Sequence, residues 1–286
     1  QRNARRMTDS VVLRRSLLMT SALSPDAFHA LLNSGADMVC ADLEDGTAVD
    51  RKAEARAAVF DMFKSNAECR RLLRVNSART VDGLRDVLAV IDSETPPDGI
   101  ILPKVCRPED VIQVADVLRP NRPDIEILAL IESPEGLRRV DDIAVAAPEL
   151  TCLIFGTADY SAEIGSNLAW DALHYGRSRI VNAAKEADID AMDGAWFDPD
   201  DEAGFLEELN RVVGMGFTGK ISYEAAHVAP VHAALTPTSE EVEQARRIIA
   251  TAEADTVGIA RLDGRMVNES IVRSARRILA AASESR

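Results

Sequence analysis

Short apolar runs alternate with longer amphipathic stretches along most of this chain. Six of the runs span residues 16–20, 38–43, 72–76, 99–105, 189–196 and 219–223, and two more contain the segments ILALI and LIFGTA between residues 126 and 160. Short apolar runs bounded by turn-forming residues are typical of strands that are buried on both faces, as in a parallel sheet. The sequence therefore predicts eight strands.

Helical stretches fill the intervals between these strands. The predicted helices cover residues 24–34, 52–64, 82–91, 108–118, 135–146, 170–187 and 201–215. Strands that alternate with helices in this way are the signature of a parallel α/β fold. Eight units, with no GxGxxG motif after the first strand, favour a closed (β/α)8 TIM barrel over an open, doubly wound sheet.

The chain continues beyond the predicted barrel core, which we place at residues 11–237 with a loop at 227–237. Residues 238–286 form a C-terminal extension with predicted helices at 239–253 and 271–282. Because this extension exceeds what a barrel needs, we expect a lid or an arm over a neighbouring subunit, with residues 258–270 as the closing segment and Gly258 and Gly264 as its hinges.

Composition and charge exclude several classes of protein. The 286 residues are 47% hydrophobic and 28% charged, and no apolar run approaches the roughly 20 residues that a membrane span needs. The formal charge of −14 argues against a nucleic-acid partner. The four cysteines show no CxxC spacing, which indicates a reducing compartment, and we expect a cytoplasmic protein. Residues 1–10 lack the apolar core of a secretory signal, and the internal Met7 indicates a leader that is partly vector-derived.

Two carboxylates follow neighbouring predicted strands at their carboxyl ends. Glu132 comes directly after ILALI, and Asp159 follows LIFGTA. The carboxyl face is where a TIM barrel builds its active site, and Mg²⁺ is held in proteins by one or two carboxylates together with waters. The alternative interpretation is that each carboxylate belongs to the start of a following helix, as in Ser133-Pro134-Glu135.

Further charged residues end the other predicted strands. The same rim would receive Asp42, Glu44, Asp45, Arg74, Asn76, Lys104 and Asp193. Charges of both signs at one rim are costly without a ligand or a metal to organise them, although a network of ion pairs that ties the loops together is the alternative. Arg74 is the most specific of these residues, because a guanidinium inside the strand LLRVN is typical of bidentate carboxylate or phosphate binding.

Several ordered motifs resemble one known family. They are RRSLLMTS, ADLEDGTAVDRKAEAR, LLRVNS, GIILPKV, ALIESPEG, FGTADYSAEIG, GFTGKIS and DGRMV. Over essentially its whole length the chain resembles the citrate lyase β-subunit-like (CitE-like) branch of the HpcH/HpaI aldolase superfamily, of the malyl- or citramalyl-CoA lyase type. The resemblance implies a Mg²⁺-dependent TIM barrel, a homotrimer or hexamer, that cleaves or forms carbon–carbon bonds in CoA thioesters of 3-hydroxy dicarboxylic acids.

The resemblance also implies roles for individual residues. Glu132 and Asp159 match the metal ligands, for Mg²⁺ or alternatively Mn²⁺, and Arg74 matches the group that binds the keto-acid or hydroxy-acid carboxylate. Glu44 and Asp45 match an acidic pair near the metal-bound waters. Two basic residues match positions near the substrate or CoA, namely Lys104 and Arg15.

This sequence departs from the family pattern in two places. Ser222-Tyr223-Glu224 stands after the eighth strand, where the family commonly reads IHP. Asn268 stands where the family often has an aspartate that takes part in proton transfer, and an amide cannot exchange a proton as a carboxylate can.

Four functions therefore stay open on the sequence. The leading one is a Mg²⁺-dependent lyase that acts on malyl-, citramalyl- or citryl-CoA. A thioesterase could use the same metal and carboxylate clamp on such thioesters, and an aldolase on a free keto or hydroxy acid would be consistent with Asn268. A non-catalytic binding protein is the fourth alternative.

Overall fold

The computed structural model describes residues 12–254 and 260–284. These residues form two compact units, one of residues 14–231 and one that combines residues 12 and 13 with the described residues from His232 onward. The predicted leader, residues 1–10, and Gly258 of the predicted lid lie outside the described residues. Within the described ranges, no helix is both long enough and apolar enough to cross a membrane.

Eight parallel strands close into a barrel in the first unit, in the order of the chain. They are β1 Ser16–Ser21, β2 Met38–Asp42, β3 Arg70–Arg74, β4 Gly99–Leu102, β5 Glu126–Ile131, β6 Leu150–Phe155, β7 Asp190–Asp193 and β8 Gly219–Ser222. The pairing of Leu17 in β1 with Ile221 in β8 closes the ring. The predicted TIM barrel is confirmed.

Ten α-helices in this part of the chain connect and surround the strands. They are α1 Pro25–Leu31, α2 Lys52–Met62, α3 Val81–Asp92, α4 Pro108–Leu118, α5 Pro134–Arg138, α6 Val140–Ala144, α7 Thr157–Glu163, α8 Trp170–Ala187, α9 Glu202–Met215 and α10 Val228–Leu235. Short 3-10 helices span Val49–Arg51 and Ala225–His227.

Three sequence expectations differ from this architecture. The single helix predicted at 135–146 is broken into α5 and α6 at Arg139, whose backbone (φ −108°, ψ 10°) leaves the helical region. The loop predicted at 227–237 was wrong, because α10 forms there and buries Val228 and Val231. Pro230 is tolerated in its first turn, where an N–H has no partner within the helix. The sixth strand ends at Phe155, before the predicted LIFGTA end, so Asp159 lies in α7.

The side chains of the strands alternate between two apolar layers. Leu17, Cys40, Leu72, Leu128 and others point into the barrel and form one buried cluster. The neighbouring residues, such as Leu18 and Leu73, point outward and pack in the larger cluster beneath the surrounding helices. This period of two decides which residues at the carboxyl ends of the strands face the barrel axis.

The second unit contains two helices and a small hairpin. They are α11 Ser239–Ala254, β9 Ala260–Leu262, β10 Arg265–Val267 and α12 Glu269–Glu284. Asp263 and Gly264 both have positive φ, at 48° and 79°, as a two-residue hairpin turn requires. Gly264, expected to be a hinge, occupies this tight turn. Asn268 caps α12, because its Oδ1 accepts from the Ile271 amide at 3.0 Å.

Candidate active site at the carboxyl face of the barrel

Arg74, the last residue of β3, is clamped inside the carboxyl end of the barrel. Its Nε and Nη2 donate to the two carboxylate oxygens of Asp42 at 2.7 and 2.5 Å. Burial alone would lower the pKa of Arg74, but the hydrogen bonds and charge of Asp42, together with the charge of Glu44, outweigh it and raise that pKa. Asp42 takes two of the five N–H groups of the guanidinium and leaves the others for a ligand.

Glu44 lies beside this ion pair and keeps one oxygen without a hydrogen bond. Arg74 Nη1 is 3.2 Å from Glu44 Oε2 but is not aligned to donate, so this buried oxygen has no hydrogen-bond partner among the described residues. Lys104 Nζ lies 2.8 Å from the other oxygen, Oε1. Burial raises the pKa of Glu44 despite both cations.

Glu132 directly follows β5 and is almost inaccessible to solvent. Its Oε1 accepts from the backbone amide of Lys104 at 2.7 Å. Lys104 is in the left-handed region (φ 55°), an uncommon conformation for a residue with a side chain. Burial, and then the negative charges of Glu44 and Asp159, raise the pKa of Glu132 to about 8. The nearby cation Arg74 favours the charged form of Glu132, but it does not outweigh burial and the two neighbouring carboxylates.

Lys104 places its ammonium group among the acidic residues of the rim. Its Nζ is 2.8 Å from Glu44, 3.7 Å from Asp45 and 4.0 Å from Asp159. Burial would lower the pKa of Lys104, but the hydrogen bond and charge of Glu44, together with the charges of Asp45 and Glu132, raise it. The structure thus brings together the predicted site residues Glu44, Asp45, Arg74, Lys104, Glu132 and Asp159.

Arg15 is the exception among the predicted site residues. It precedes β1, and its Nε and Nη2 donate to Asp37, which precedes β2, at 2.9 Å each. Both residues therefore lie at the amino-terminal end of the barrel, opposite the other candidates. Because Arg15 lies away from these residues, its position does not support the expected contact with the substrate.

Asp193 was also expected at the rim, but it lies behind the pocket wall. Its carboxylate accepts from Arg177 of α8 and Lys220 of β8, each at 2.8 Å. Burial would raise the pKa of Asp193, but these two cations outweigh it and lower that pKa. Lys220 also donates to the carbonyl of Gly194 at 2.8 Å. The network therefore fixes the backbone at the end of β7, where Gly194 and Ala195 begin to line the pocket.

An open pocket of about 220 Å³ lies above the barrel axis. Its polar lining includes Asp45, Arg74, Glu132 and Asp159, and its apolar and aromatic lining includes Met19, Ile101, Leu130, Ile154, Ala195, Phe197, Ile221 and Tyr223. Sequence reasoning missed Phe197, which no motif marks, and treated Tyr223 only as a departure from the family. It also missed that Asp42 holds Arg74.

The donor set at the pocket fits a hard divalent cation. Glu132 and Asp159 supply carboxylate oxygens, and Oε2 of Glu44, which accepts no hydrogen bond among the described residues, offers an acceptor for a bound water. Gly156 packs against Glu132, and a Cβ at that position would lie 2.8 Å from Glu132 Oε2. The described residues contain no set of three or more Asp, Glu, His or Cys side chains placed for a metal. A site with two carboxylates and several waters is the arrangement that suits Mg²⁺ rather than Zn²⁺.

The fold and these residues define an enzyme barrel whose site is acidic and lies at the carboxyl ends of its strands. A family model described as HpcH/HpaI aldolase/citrate lyase matches residues 15–225. The β subunit of citrate lyase from Escherichia coli strain K12 is 31% identical over 290 residues, which cover 95% of this chain and 94% of the relative. A (3S)-malyl-CoA thioesterase from Cereibacter sphaeroides strain ATCC 17029 is 32% identical over 275 residues, which cover 94% of each chain.

A solved structure extends the similarity to the whole fold. The protein CitE from Mycobacterium tuberculosis, in complex with magnesium, acetoacetate and coenzyme A, matches with a TM-score of 0.81 and 27% identity over 95% of this chain and 98% of that one. The chain therefore belongs to the HpcH/HpaI aldolase/citrate lyase family, and it is an enzyme of the aldolase and lyase class. The family predicted from the motifs is confirmed.

Proposed function

We propose that this protein is a Mg²⁺-dependent lyase. It cleaves, or forms, a carbon–carbon bond in the CoA thioester of a 3-hydroxy dicarboxylic acid. The observation that carries the proposal is that Arg74 and Glu132 converge on one pocket at the carboxyl face, with Asp159 beside them. The relatives named as citrate lyase and the CitE complex with magnesium and coenzyme A support the metal and the class of substrate.

Glu132 and Asp159 would hold the magnesium ion. When bound, the metal supplies positive charge next to the oxygens of the keto-acid fragment. Glu132 has a pKa of about 8 without a counter-ion, because burial and neighbouring carboxylates disfavour its charge. A bound cation would remove this cost, which is why Glu132 is the stronger of the two assignments.

Arg74 would orient the substrate carboxylate. Asp42 fixes the plane of the guanidinium, so its remaining N–H groups keep one direction without any loss of rotational freedom during the reaction. The reacting carbon–carbon bond would thereby be held beside the acidic residues that line the same pocket.

Glu44 and Asp45 would handle protons at the same rim. Glu44 Oε2 is buried and accepts no hydrogen bond among the described residues, so it can accept one from a water or from the substrate hydroxyl. Lys104, within 2.8 Å of Glu44, offsets the negative charge of the group when it is ionised. This arrangement suits Glu44 and Asp45 as general acid and base groups that give and take a proton during bond cleavage.

Product analysis tests this function against its alternatives. The full-length protein is incubated with Mg²⁺ and malyl-, citramalyl- or citryl-CoA, and the products are identified by mass spectrometry. A lyase gives acetyl-CoA and a keto acid, whereas a thioesterase gives free CoA and the hydroxy acid. Turnover that is unchanged in EDTA would contradict the metal assignment.

A further inference from the structure

The period of two in β8 turns Tyr223 toward the pocket. Ile221, two residues earlier, points into the barrel, and Tyr223, which directly follows β8, lines the pocket together with Arg74 and Asp45. Tyr223 belongs to the stretch in which this sequence departs from the family pattern. Its side chain therefore adds to the pocket a group that the motifs do not explain.

The hydroxyl of Tyr223 makes no hydrogen bond to any residue that the structure describes. The ring lies beside Phe197, with 6.2 Å between the centroids and 42° between the planes, and this contact does not occupy the hydroxyl. A phenolic O–H can donate one hydrogen bond and accept others. The pocket thus contains a donor that is available to a ligand.

The charged residues at the ends of β2 and β3 lie within electrostatic range of this hydroxyl. Burial raises the pKa of Tyr223, the positive charge of Arg74 lowers it, and the negative charges of Asp42 and Asp45 add to the rise. Because 48% of the side chain is accessible, this burial concerns the hydroxyl end rather than the whole ring. A tyrosine with a raised pKa keeps its proton at neutral pH and is a hydrogen-bond donor.

The backbone on either side of Tyr223 is held in place by a buried turn. Ser222 Oγ lies 2.7 Å from Nδ1 of His227 and accepts from the backbone amide of Glu224 at 3.0 Å. The ring of His227 stacks on Phe205 of α9, with 3.7 Å between the centroids and 11° between the planes. The turn is therefore formed before a ligand arrives, and little ordering of the backbone is needed on binding.

We infer that the Tyr223 hydroxyl donates a hydrogen bond to the same substrate carboxylate that Arg74 binds. Asp42 takes two N–H groups of Arg74, and the remaining ones can bind one carboxylate oxygen while Tyr223 binds the other. This inference rests on the proposed function, in which Arg74 orients the substrate carboxylate. Tyr223 is then a substrate-binding residue that sets the rotation of the carboxylate about the axis through Arg74.

Tyr223→Phe tests this hydrogen bond, because it removes one oxygen and keeps the ring beside Phe197. Calorimetry measures the binding of pyruvate to the full-length protein in the presence of Mg²⁺. We expect the Kd to rise at least about tenfold, as for the loss of a hydrogen bond to a charged group. Tyr175→Phe, at an exposed position on α8 outside the pocket lining, is the matched control and should leave the Kd unchanged. Equal affinities of Tyr223→Phe and the wild-type protein for pyruvate overturn the inference.

A double-variant cycle shows whether Tyr223 and Arg74 bind the same carboxylate. Two groups that share one ligand group are coupled, so the effects of their substitutions do not multiply. In the Arg74→Lys background the effect of Tyr223→Phe on the Kd for pyruvate should be at least about threefold smaller than in the wild-type background. Effects that multiply fully would show that Tyr223 contacts a different part of the ligand, and they overturn the inference.

Turnover separates failure of the inference from failure of the proposed function. Mass spectrometry follows the cleavage of malyl-CoA to acetyl-CoA and glyoxylate by the wild-type protein with Mg²⁺. Cleavage together with pyruvate binding that does not depend on Tyr223 overturns the inference and leaves the lyase function standing. Binding that depends on Tyr223 without cleavage of any of the three thioesters supports the inference and removes the lyase function. If the wild-type protein does not bind pyruvate, the carboxylate site and the inference both fall.

Discussion

Asp42 and Arg74 are the last residues of β2 and β3, and they lie opposite each other in the register of these two strands. Their side chains form a two-point ion pair of 2.7 and 2.5 Å that is almost closed to solvent. The backbone pairing therefore sets the position of the guanidinium before any ligand arrives. A buried pair of this kind is costly to break, because the remaining charge has no partner.

Arg74→Lys is the direct test of this clamp. Lysine keeps the charge but loses the planar fork, so it cannot bind Asp42 and a substrate carboxylate at fixed angles. We expect kcat/KM to fall roughly 100-fold or more, as for the loss of a fixed donor in an active site. Near wild-type kinetics would show that Arg74 serves the fold alone. Arg15→Lys, at the opposite rim, is the matched control and should leave kinetics unchanged.

Glu132→Gln should stabilise the metal-free protein while abolishing its response to Mg²⁺. The pKa of Glu132 is about 8 in the fold, because of burial and then Glu44 and Asp159, and is near 4.5 as its ordinary value. A raised pKa means that the fold favours the protonated form of Glu132. The stability that this form contributes to the folded protein is present below pH 4.5 and is lost as the pH rises to 8.

Thermal unfolding in EDTA measures this effect. At pH 8 the glutamine variant should be more stable by on the order of 2 kcal/mol, because it removes a buried charge among like charges, and the difference should vanish below pH 4.5. Added Mg²⁺ should raise the Tm of the wild-type protein only. An equal rise in both proteins would place the metal elsewhere.

Gly156→Ala should impair metal binding through sterics. An added Cβ would lie 2.8 Å from Glu132 Oε2, so Glu132 would have to move. Gly214→Ala in α9 is the control, because nothing lies within 4 Å of the added methyl group and the helix should gain about 1 kcal/mol. We expect Mg²⁺ affinity from calorimetry to fall at least about tenfold in the first variant alone, in keeping with the loss of a well-placed ligand support. Equal Mg²⁺ affinities of Gly156→Ala and the wild-type protein would show that Glu132 is not a metal ligand.

Lys104→Met should strengthen Mg²⁺ binding and weaken catalysis. The ammonium lies 4.0 Å from Asp159 and would compete with the metal for this carboxylate. At that distance in a well-solvated site two charges interact by about 1 kcal/mol, which corresponds to a several-fold gain in affinity. Reduced affinity would instead show that Lys104 supports the metal site, for example through its backbone amide.

Asn268→Ala should act on stability rather than on chemistry. Asn268 Oδ1 caps α12, so its loss should cost about 1 kcal/mol in unfolding free energy. Turnover per folded molecule, measured after correction for the folded fraction by circular dichroism, should stay unchanged. A large loss of kcat without a loss of stability would give Asn268 a role in the reaction.

The period-two alternation of the strands explains how far the site could be predicted. Cys40, Leu72 and Leu130 all point into the barrel, so residues two positions later, namely Asp42, Arg74 and Glu132, face the axis as well. Asp193 has the opposite parity, because its neighbour Met192 points inward. Parity alone would have removed Asp193 from the predicted rim. Arg15 could likewise have been placed at the other end, because it precedes its strand.

Other features were beyond the sequence. The position of Asp159 depended on where β6 stops, and Gly156, which follows Phe155 and caps α7, marks an end that the predicted strand ran through. A loop was predicted at 227–237, yet the segment buries Val228 and Val231 and is helical as far as Leu235. The contact of Phe197 with the pocket depends on the path of an irregular segment after β7, which local pattern does not determine.

Closure of the barrel by β1 and β8 has a consequence for biosynthesis. Met19 belongs to the first strand and Tyr223 follows the last, yet both line one pocket. A nascent chain whose β8 has not yet emerged from the ribosome can form much of the sheet, but it has no complete pocket. Contacts between such distant parts of a sequence form slowly. Binding competence should therefore be the final event of maturation, and early termination should yield chains without any residual affinity for substrate.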